Sequence, residues 1–473
     1  MNSIEDLLGQ QVVAAPTVTL HAGDNRESLR RLIDQGVRVH SVVTDPPYGL
    51  VSVQKRFGKP GSAAARTEGN DGSFARLSGG FMGKAWDGTG IERDPEFWKL
   101  IHNILLPGGY CFAFSGSRTG HWQACAMEMA GFIMHPMHGW VFGSGFPKAH
   151  AADKAIDKIF GAAGGFEPNG APVKRMIPGA DQHRDGSWIK DNEREYQPGS
   201  YIPSTPEAAQ WEGWAYGTQA QKPALEPIYL GQRPFDEKTG AANLLKHGVG
   251  AVNIDGCRVP FAGAEDEQES KAKNQHGDFG SGPRTNEVYG KFTKDRENYS
   301  PSGRHPANLI LDGSDDVVAM FPDSSGGHHP KKRGVGGIGN DGHGGQDGLV
   351  ERYDAASGSA ARFFHHFPPD ADPIVYHAKA GKVDRAGGKH PTVKPVGLIE
   401  YLVRHVTPPG GIVLDPFAGS GTTAEAARRQ GLDCILMEAE PEYVDFLRGR
   451  FEIPVKTEVA TLPSREVLIS DLL

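Results

Sequence analysis

The chain is poor in the residues that staple, anchor or coat. Only four cysteines, Cys111, Cys125, Cys257 and Cys434, occur in 473 residues, and no two lie close in sequence. That spacing forms neither a disulfide framework nor a zinc-ligand pattern, and it suits a reducing compartment. No apolar run approaches the roughly twenty residues that cross a bilayer. Residues 1–11 carry Glu5 and Asp6 where a signal peptide would have a basic start, so a cytoplasmic setting is expected. Basic charge is also short. Fifty Lys and Arg against 58 Asp and Glu leave a formal net charge of -8, which excludes indiscriminate coating of nucleic acid but allows a local basic groove.

Length suffices for two or three domains with sizeable cores. Residues 17–20 read as a strand, Asn25 as the cap of a helix with Leu29, Leu32 and Ile33 on one face, and residues 37–43 as a buried strand. Strand, helix and strand in about thirty residues make a βαβ unit with a parallel sheet. Residues 51–90 turn rich in Gly, Ser and Ala and read as a mobile lid-like loop. A helix opens at Pro95, stops at Pro107-Gly108-Gly109 and leads to a strand over 110–114; a helix over 118–130 and a strand over 132–142 follow.

From about 143 to 387 periodicity fades. Residues 326–348 are a glycine, histidine and charge tract whose His328, His329 and His343 lack the partners of a metal site, so no metal is expected. Pattern returns with a helix opened by Pro395, a strand over 412–414, a helix over 422–430, a strand over 432–437 and a helix over 442–451.

Two strand ends carry chemistry. The first is Asp45-Pro46-Pro47-Tyr48-Gly49, where two prolines fix φ and remove two donors, leaving a carboxylate, a carbonyl and an aromatic plane to grip a flat amino-bearing ring. The same residues also suit an ordinary strand-ending turn. The second is Asp415-Pro416-Phe417-Ala418-Gly419-Ser420-Gly421-Thr422-Thr423, a glycine-rich turn between strand and helix, with Glu438 at the next strand end to accept from ribose hydroxyls. It lacks the third glycine of the dinucleotide fingerprint and the Gly-Lys-Ser/Thr of a phosphate loop, which disfavours NAD and ATP.

Together the two stretches resemble the signature motifs of the beta class of S-adenosylmethionine-dependent DNA amino-methyltransferases, in which the catalytic Asp-Pro-Pro-Tyr motif precedes the cofactor motif. His390-Pro391-Thr392-Val393-Lys394-Pro395 is similar to the segment that in the family lines the methionine end of the cofactor. Gly23-Asp24 resembles the acidic motif placed near the amino terminus by this permuted order, and Glu226-Pro227-Ile228 a late catalytic motif. Gly145-Phe146-Pro147-Lys148 resembles phage and prophage members.

The resemblance implies an α/β fold: a circularly permuted Rossmann-like methyltransferase sheet with a large irregular insertion. The catalytic domain would be split over 16–150 and 385–455. Residues 151–384 would form the insertion, partly ordered, a target-recognition region with a flexible 326–348, and 456–473 a tail. Asp45, Pro46, Pro47 and Tyr48 would be catalytic. Asp24, Thr392, Lys394, Asp415, Phe417, Gly419, Ser420, Gly421, Thr422, Thr423 and Glu438 would bind S-adenosylmethionine, with Thr392 and Lys394 on its methionine carboxylate.

The implied activity is methylation of adenine N6 in double-stranded DNA, with the target base flipped out. Cytosine N4 and an inactive nucleic-acid-binding relic are the alternatives, and RNA is a lesser substrate. Arg258, Arg304, Lys331 and Arg333 are candidates for DNA contact. A monomer or homodimer in the cytoplasm of a bacterial or phage-infected cell, as part of a restriction-modification system and without a membrane, completes the expectation.

Overall fold

A computed structural model describes residues 16–49, 89–143, 145, 147–171, 173–174, 195–274, 284–286, 290–292, 301–325, 357–367 and 393–454. The expected lid over 51–88, the histidine tract, Lys331, Arg333, Thr392 and the tail lie outside the described residues.

The amino-terminal unit forms as its pattern dictates. Strand β1, Val18–Ala22, leads into helix α1, Asn25–Asp34, which buries Leu29 and Leu32. The cap is Asp24 rather than Asn25: its carboxylate accepts from the backbone N–H groups of Arg26 and Glu27, satisfying donors that the first turn leaves unpaired. Strand β2, Val39–Thr44, follows. Helix α2, Pro95–Ile104, is capped by Asp94 and buries Phe97, Trp98, Ile101 and Ile104.

Strand β3, Leu105–Phe114, differs from expectation, because Pro107-Gly108-Gly109 lies inside the strand instead of stopping a helix before it. The register against β2 jumps from Val39 opposite Leu105 to Ser41 opposite Tyr110, so the Pro-Gly-Gly segment is a bulge. Gly109 is required there, since a Cβ would lie 2.9 Å from the His40 carbonyl.

Helix α3, Gly120–Met129, is followed by two short strands, β4, Ile133–Met134, and β5, His138–Val141, where one was expected. Pro136 between them offers no donor to a ladder. Strand β6, Leu225–Gln232, and the short strands β7, Leu309–Leu311, and β8, His365–His366, come from the stretch expected to be an insertion. The carboxyl-terminal unit is helix α4, Val396–Val406, strand β9, Ile412–Asp415, helix α5, Thr422–Arg429, strand β10, Asp433–Glu438, and helix α6, Pro441–Phe451.

The strands form one twisted sheet in the order β1-β10-β9-β2-β3-β6-β5-β7-β8, with β4 also on β6. Strand β6 is antiparallel to its neighbours β3, β4 and β5, and the remaining pairs are parallel. The sheet therefore takes in strands from the stretch between 150 and 385. Apolar residues of β6 cover the edge that β3 would otherwise expose, a pairing the interrupted run Leu225-Glu226-Pro227-Ile228 does not advertise.

Side chains alternate between the two faces. Val43, Phe112, Val413 and Leu436 join Leu398, Leu402 and Leu447 in one core. Val42, Ala113, Leu414 and Ile435 join Leu29, Phe97, Trp98 and Ile101 in the other. Burying apolar residues on both faces is what a parallel sheet covered by helices requires. No described helix is long and apolar enough to cross a membrane. Outside the sheet, Lys148–Ala151 pairs with Ala215–Gln219 and Gly165–Pro168 with Gly199–Ile202.

His405 on the buried face of α4 meets His138 at the start of β5, 6.0 Å between ring centroids. Burial, aided by neighbouring histidines, pushes His138 and His405 down to about 4. Their folded pKa lies below the unfolded value near 6.5, so on acidification the unfolded chain takes up protons that the folded one refuses. Each histidine therefore lowers stability as pH falls through that window. A His405→Leu variant, compared with wild type by urea unfolding, should lose less stability between pH 7.5 and 5.0, by up to about 2 kcal/mol. Equal losses in the two proteins would contradict the burial account.

Candidate functional site

Parallel pairing of β2 with β9, Ser41 opposite Val413 and Val42 opposite Leu414, brings both chemistry-bearing strand ends to one edge of the sheet. Asp45 leaves β2 immediately after Thr44, and the Asp415 turn leaves β9 beside it. The two are tied directly: the Thr44 hydroxyl donates to Asp415 Oδ1 at 2.7 Å. The strand order thus places the two stretches side by side.

On the β2 side, Pro46, Pro47 and Gly49 are buried while Asp45 and Tyr48 are half-buried. The Thr119 hydroxyl donates to the Tyr48 carbonyl and fixes the loop from the α3 side. Gly49 has φ +56 and rests on the buried Glu92 carboxylate, with an added Cβ only 2.0 Å from Oε1. A side chain there would displace either the loop or the carboxylate.

Asp45 Oδ2 accepts from Lys394 Nζ. The same ammonium lies 3.6 Å from Glu226 Oε2, and the Tyr48 hydroxyl donates to that Glu226 oxygen at 3.2 Å. Lys394 also stands over the rings of Tyr48 and Phe114, 5.4 and 4.9 Å from their centroids. Asp45 Oδ1, by contrast, is buried and has no hydrogen-bond partner among the described residues. An acceptor in that condition is costly unless a donor arrives to meet it.

The electrostatics follow from this packing. Burial raises the Asp45 pKa above the usual carboxylate value; Lys394 opposes the rise and Glu226 adds to it. Burial works against the charge on Lys394, but the Asp45 and Glu226 carboxylates outweigh it and raise its pKa. Tyr48 is held firmly as the phenol by burial and the two carboxylates.

On the β9 side, Asp415 has both oxygens committed. Besides Thr44, the Phe417 N–H donates to Oδ1 at 3.0 Å and the Thr423 hydroxyl to Oδ2 at 2.7 Å. Burial pushes its carboxyl up to about 6, with these hydrogen bonds opposing the rise. Gly419 and Gly421 take left-handed φ values of +52 and +80, and a Cβ on Gly421 would come within 2.6 Å of Leu447 and Phe451. The turn is closed by the Gly421 N–H on the Ala418 carbonyl at 2.7 Å.

Glu438, at the end of β10, accepts from the Gly419 N–H at 2.8 Å and the Glu440 N–H at 2.9 Å, and burial raises its pKa. Next to it, the Gly23 N–H bonds the Glu438 carbonyl, which holds the end of β1 at the same edge. The Phe417 ring leans on Phe97, 5.4 Å between centroids. Ser420 and Thr422 hydroxyls lie 3.3 Å apart, and Arg450 donates to the Ser420 carbonyl.

Set against expectation, the structure brings Asp45, Pro46, Pro47, Tyr48, Lys394, Asp415, Phe417, Gly419, Ser420, Gly421, Thr422, Thr423 and Glu438 to one edge, with Asp24 just past the end of β1 as the cap of α1. It gives three of them different partners. Lys394, expected on a methionine carboxylate, is engaged by Asp45 and Glu226. Asp415 holds the turn together instead of presenting oxygens outward, and Asp24 caps α1.

Thr44 was missed as a site residue, and Glu226 was read only as part of a stretch resembling a late catalytic motif, with no role at the site. A further signal for Glu226 is an acid inside an apolar strand, since a buried carboxylate needs partners. Among the described residues no group of three or more His, Cys, Asp or Glu is placed to hold a metal ion. The site fits an adenosine-bearing cofactor through the glycine turn at Gly419 and Gly421 and the half-buried carboxylate of Glu438 at the adjacent strand end.

A family model described as DNA methylase, of the N6/N4 type, matches residues 39–448. The type II methyltransferase M2.DpnII of Streptococcus pneumoniae is 45% identical over 76 residues, 16% of this chain and 28% of that protein. M.ScaI of Streptomyces caespitosus is 40% identical over 79 residues, 17% of this chain and 25% of that protein. The matched part of the chain thus spans about a quarter of the length of these curated relatives. Among solved structures, the M1.HpyAVI–SAM complex aligns with 92% of this chain and 100% of its own at 13% identity and a TM-score of 0.36.

The Asp415 cluster generates a test. Thr423→Val keeps the side-chain shape but removes one hydroxyl from a buried carboxylate, and should cost about 1–3 kcal/mol in urea denaturation. A variant as stable as the parent would contradict the role given to this tie.

Proposed function

The chain belongs to the N6/N4 DNA methylase family, and from that premise we propose that it transfers a methyl group from S-adenosylmethionine to the exocyclic N6 amino group of adenine in double-stranded DNA. The observation that carries the reading is the pairing of an open acceptor with a glycine-rich turn: Asp45 Oδ1 is buried and unpartnered at the end of β2, and the Gly419–Gly421 turn ends the neighbouring strand. The aspartate at the first position of Asp-Pro-Pro-Tyr supports adenine over cytosine N4, where the family more usually carries serine.

The chemistry asked of these residues is modest. An exocyclic amino group is a poor nucleophile because its lone pair is delocalised into the ring. Asp45 Oδ1 and the Pro46 carbonyl would accept its two hydrogens, which draws the nitrogen toward a tetrahedral form with the lone pair aimed away from the ring. The amino group lies inside the duplex, so the base must be flipped out. Tyr48 offers the stacking face, a contact worth about 1–3 kcal/mol per base.

Gly419 and Gly421 would admit the amino-acid end of the cofactor and Glu438 its ribose. S-adenosylmethionine would supply a methyl group made electrophilic by the sulfonium: the N–CH3 bond forms as the S–CH3 bond breaks, the sulfur leaves as a neutral thioether, and the surplus amino proton passes to solvent. Alignment of the two reactants in one cleft accounts for several kcal/mol of the barrier, on the order of the effects known for oriented groups. No covalent intermediate on the protein is needed. The stretch expected to read the target sequence, together with Arg258 and Arg304, is the proposed DNA-facing part. In the structure Arg304 pairs with Asp266 and Arg258 with Asp255, so their contacts to DNA would compete with these ion pairs. The setting proposed is the bacterial cytoplasm.

Two measurements check this. Asp45→Ala should lower transfer of tritiated methyl to DNA by at least about 100-fold, the scale of losing one positioned polar group in a transition state; full activity would sink the assignment. Mass spectrometry of nucleosides from DNA treated with the wild-type protein should show N6-methyldeoxyadenosine. N4-methyldeoxycytidine in its place would move the substrate to cytosine, and neither product would leave a nucleic-acid-binding relic.

A further inference from the structure

We propose that Lys394 is a positioning residue for methyl transfer, clamped between Glu226 and Asp45 so that the Asp45 carboxylate is held ionised with Oδ1 turned toward the target amino group. The inference rests on the proposed function and deepens it at the same site.

The geometry accounts for the ammonium in every direction. Lys394 is 6% exposed and enters from the segment just before α4, where Pro395 forms the helix cap. Its Nζ meets Asp45 Oδ2 on one side and Glu226 Oε2 on the other, and it lies over Tyr48 and Phe114. An ammonium has three donors and no acceptor, and here two carboxylates draw on them. Glu226 is steadied in turn by the Tyr48 hydroxyl from the catalytic loop itself. A relay from Tyr48 through Glu226 and Lys394 to Asp45 therefore fixes which Asp45 oxygen is occupied and which is open.

The charges explain why a cation is needed. Asp45 faces Lys394 from the α4 entry, Glu226 from β6, Tyr48 from its own loop and Asp415 from β9. Three carboxyl groups of low exposure lie near one another, and among the described residues Lys394 is the ammonium that pairs with two of them. Like charges and burial both favour protonation, and a protonated Asp45 would lose acceptor strength toward an amino hydrogen. Remove the ammonium and the carboxyl should take a proton at higher pH, switching off the acceptor.

The test is the single-turnover rate of methyl transfer to DNA between pH 6 and 10, with the S-adenosylmethionine Kd measured by calorimetry on the same proteins. Lys394→Met is expected to lose at least tenfold in rate at pH 7, with its acidic limb moved up by at least one pH unit, so that much of the rate returns by pH 9. Its Kd should stay within about twofold of wild type, since tenfold is what 1.4 kcal/mol of lost binding would give. Lys394→Arg should keep the wild-type limb. A tenfold weaker Kd with an unmoved limb would assign Lys394 to the cofactor and overturn the proposal, as would an equal loss at every pH in a folded protein.

Should Lys394→Met fail to fold, Glu226→Gln serves. It removes a negative charge beside Asp45 and should move the acidic limb down; an upward or unmoved limb overturns the proposal. A wild-type protein inactive on every DNA would instead refute the proposed function itself.

Discussion

Strands β2 and β9 lie side by side and parallel, although about 370 residues separate Ser41 from Val413. The site depends on that one pairing. Parallel neighbours end at the same edge, so the carboxylate after β2 and the glycine turn after β9 meet without any special loop to join them. Thr44, Asp415 and Thr423 then stitch the two ends together at hydrogen-bond distance. Because Asp415 is buried and fully partnered, the stitch is rigid, and errors in one motif are carried to the other.

On that base the cleft is an electrostatic compromise. Asp45, Glu226 and Asp415 are carboxyl groups within one region of low exposure, and burial raises the pKa of Asp45 and Asp415. Lys394 makes the arrangement tolerable by pairing with two of them, while Asp415 is satisfied by hydroxyl and amide donors. The arrangement leaves Asp45 Oδ1 without a partner among the described residues. A buried unsatisfied oxygen costs about 1–3 kcal/mol of stability, a cost that a ligand donor would remove. In this respect stability and the proposed chemistry pull in opposite directions.

How much of this was legible in sequence depended on whether the governing interaction was local. Helices α2, α4 and α6 and strands β2, β9 and β10 were readable because apolar period, capping residues and Pro or Gly stops all agree. The Pro107-Gly108-Gly109 bulge was misread as a stop, since the same residues end helices and interrupt strands, and only pairing with β2 and β6 decides between them. Strand β6 escaped notice because Glu226 and Pro227 break its alternation, and its place is set by neighbours far away in the chain.

The same division holds at the site. Residue types and spacing in Asp45 to Gly49 and Asp415 to Thr423 were enough to suggest two halves of one cleft. The partners of Lys394, Asp415 and Asp24 were not readable, because each is chosen by burial and by groups brought in from other elements. Family resemblance placed Lys394 near the cofactor segment, and three-dimensional packing pairs its ammonium with the Asp45 and Glu226 carboxylates.

The most direct test of the bipartite cleft is calorimetric titration of the wild-type, Asp45→Ala and Glu438→Ala proteins with S-adenosylmethionine, with and without DNA. The account predicts one cofactor per chain for wild type, affinity largely kept by Asp45→Ala, and a loss of at least about tenfold for Glu438→Ala. A folded wild-type protein that binds no S-adenosylmethionine in either condition would contradict it.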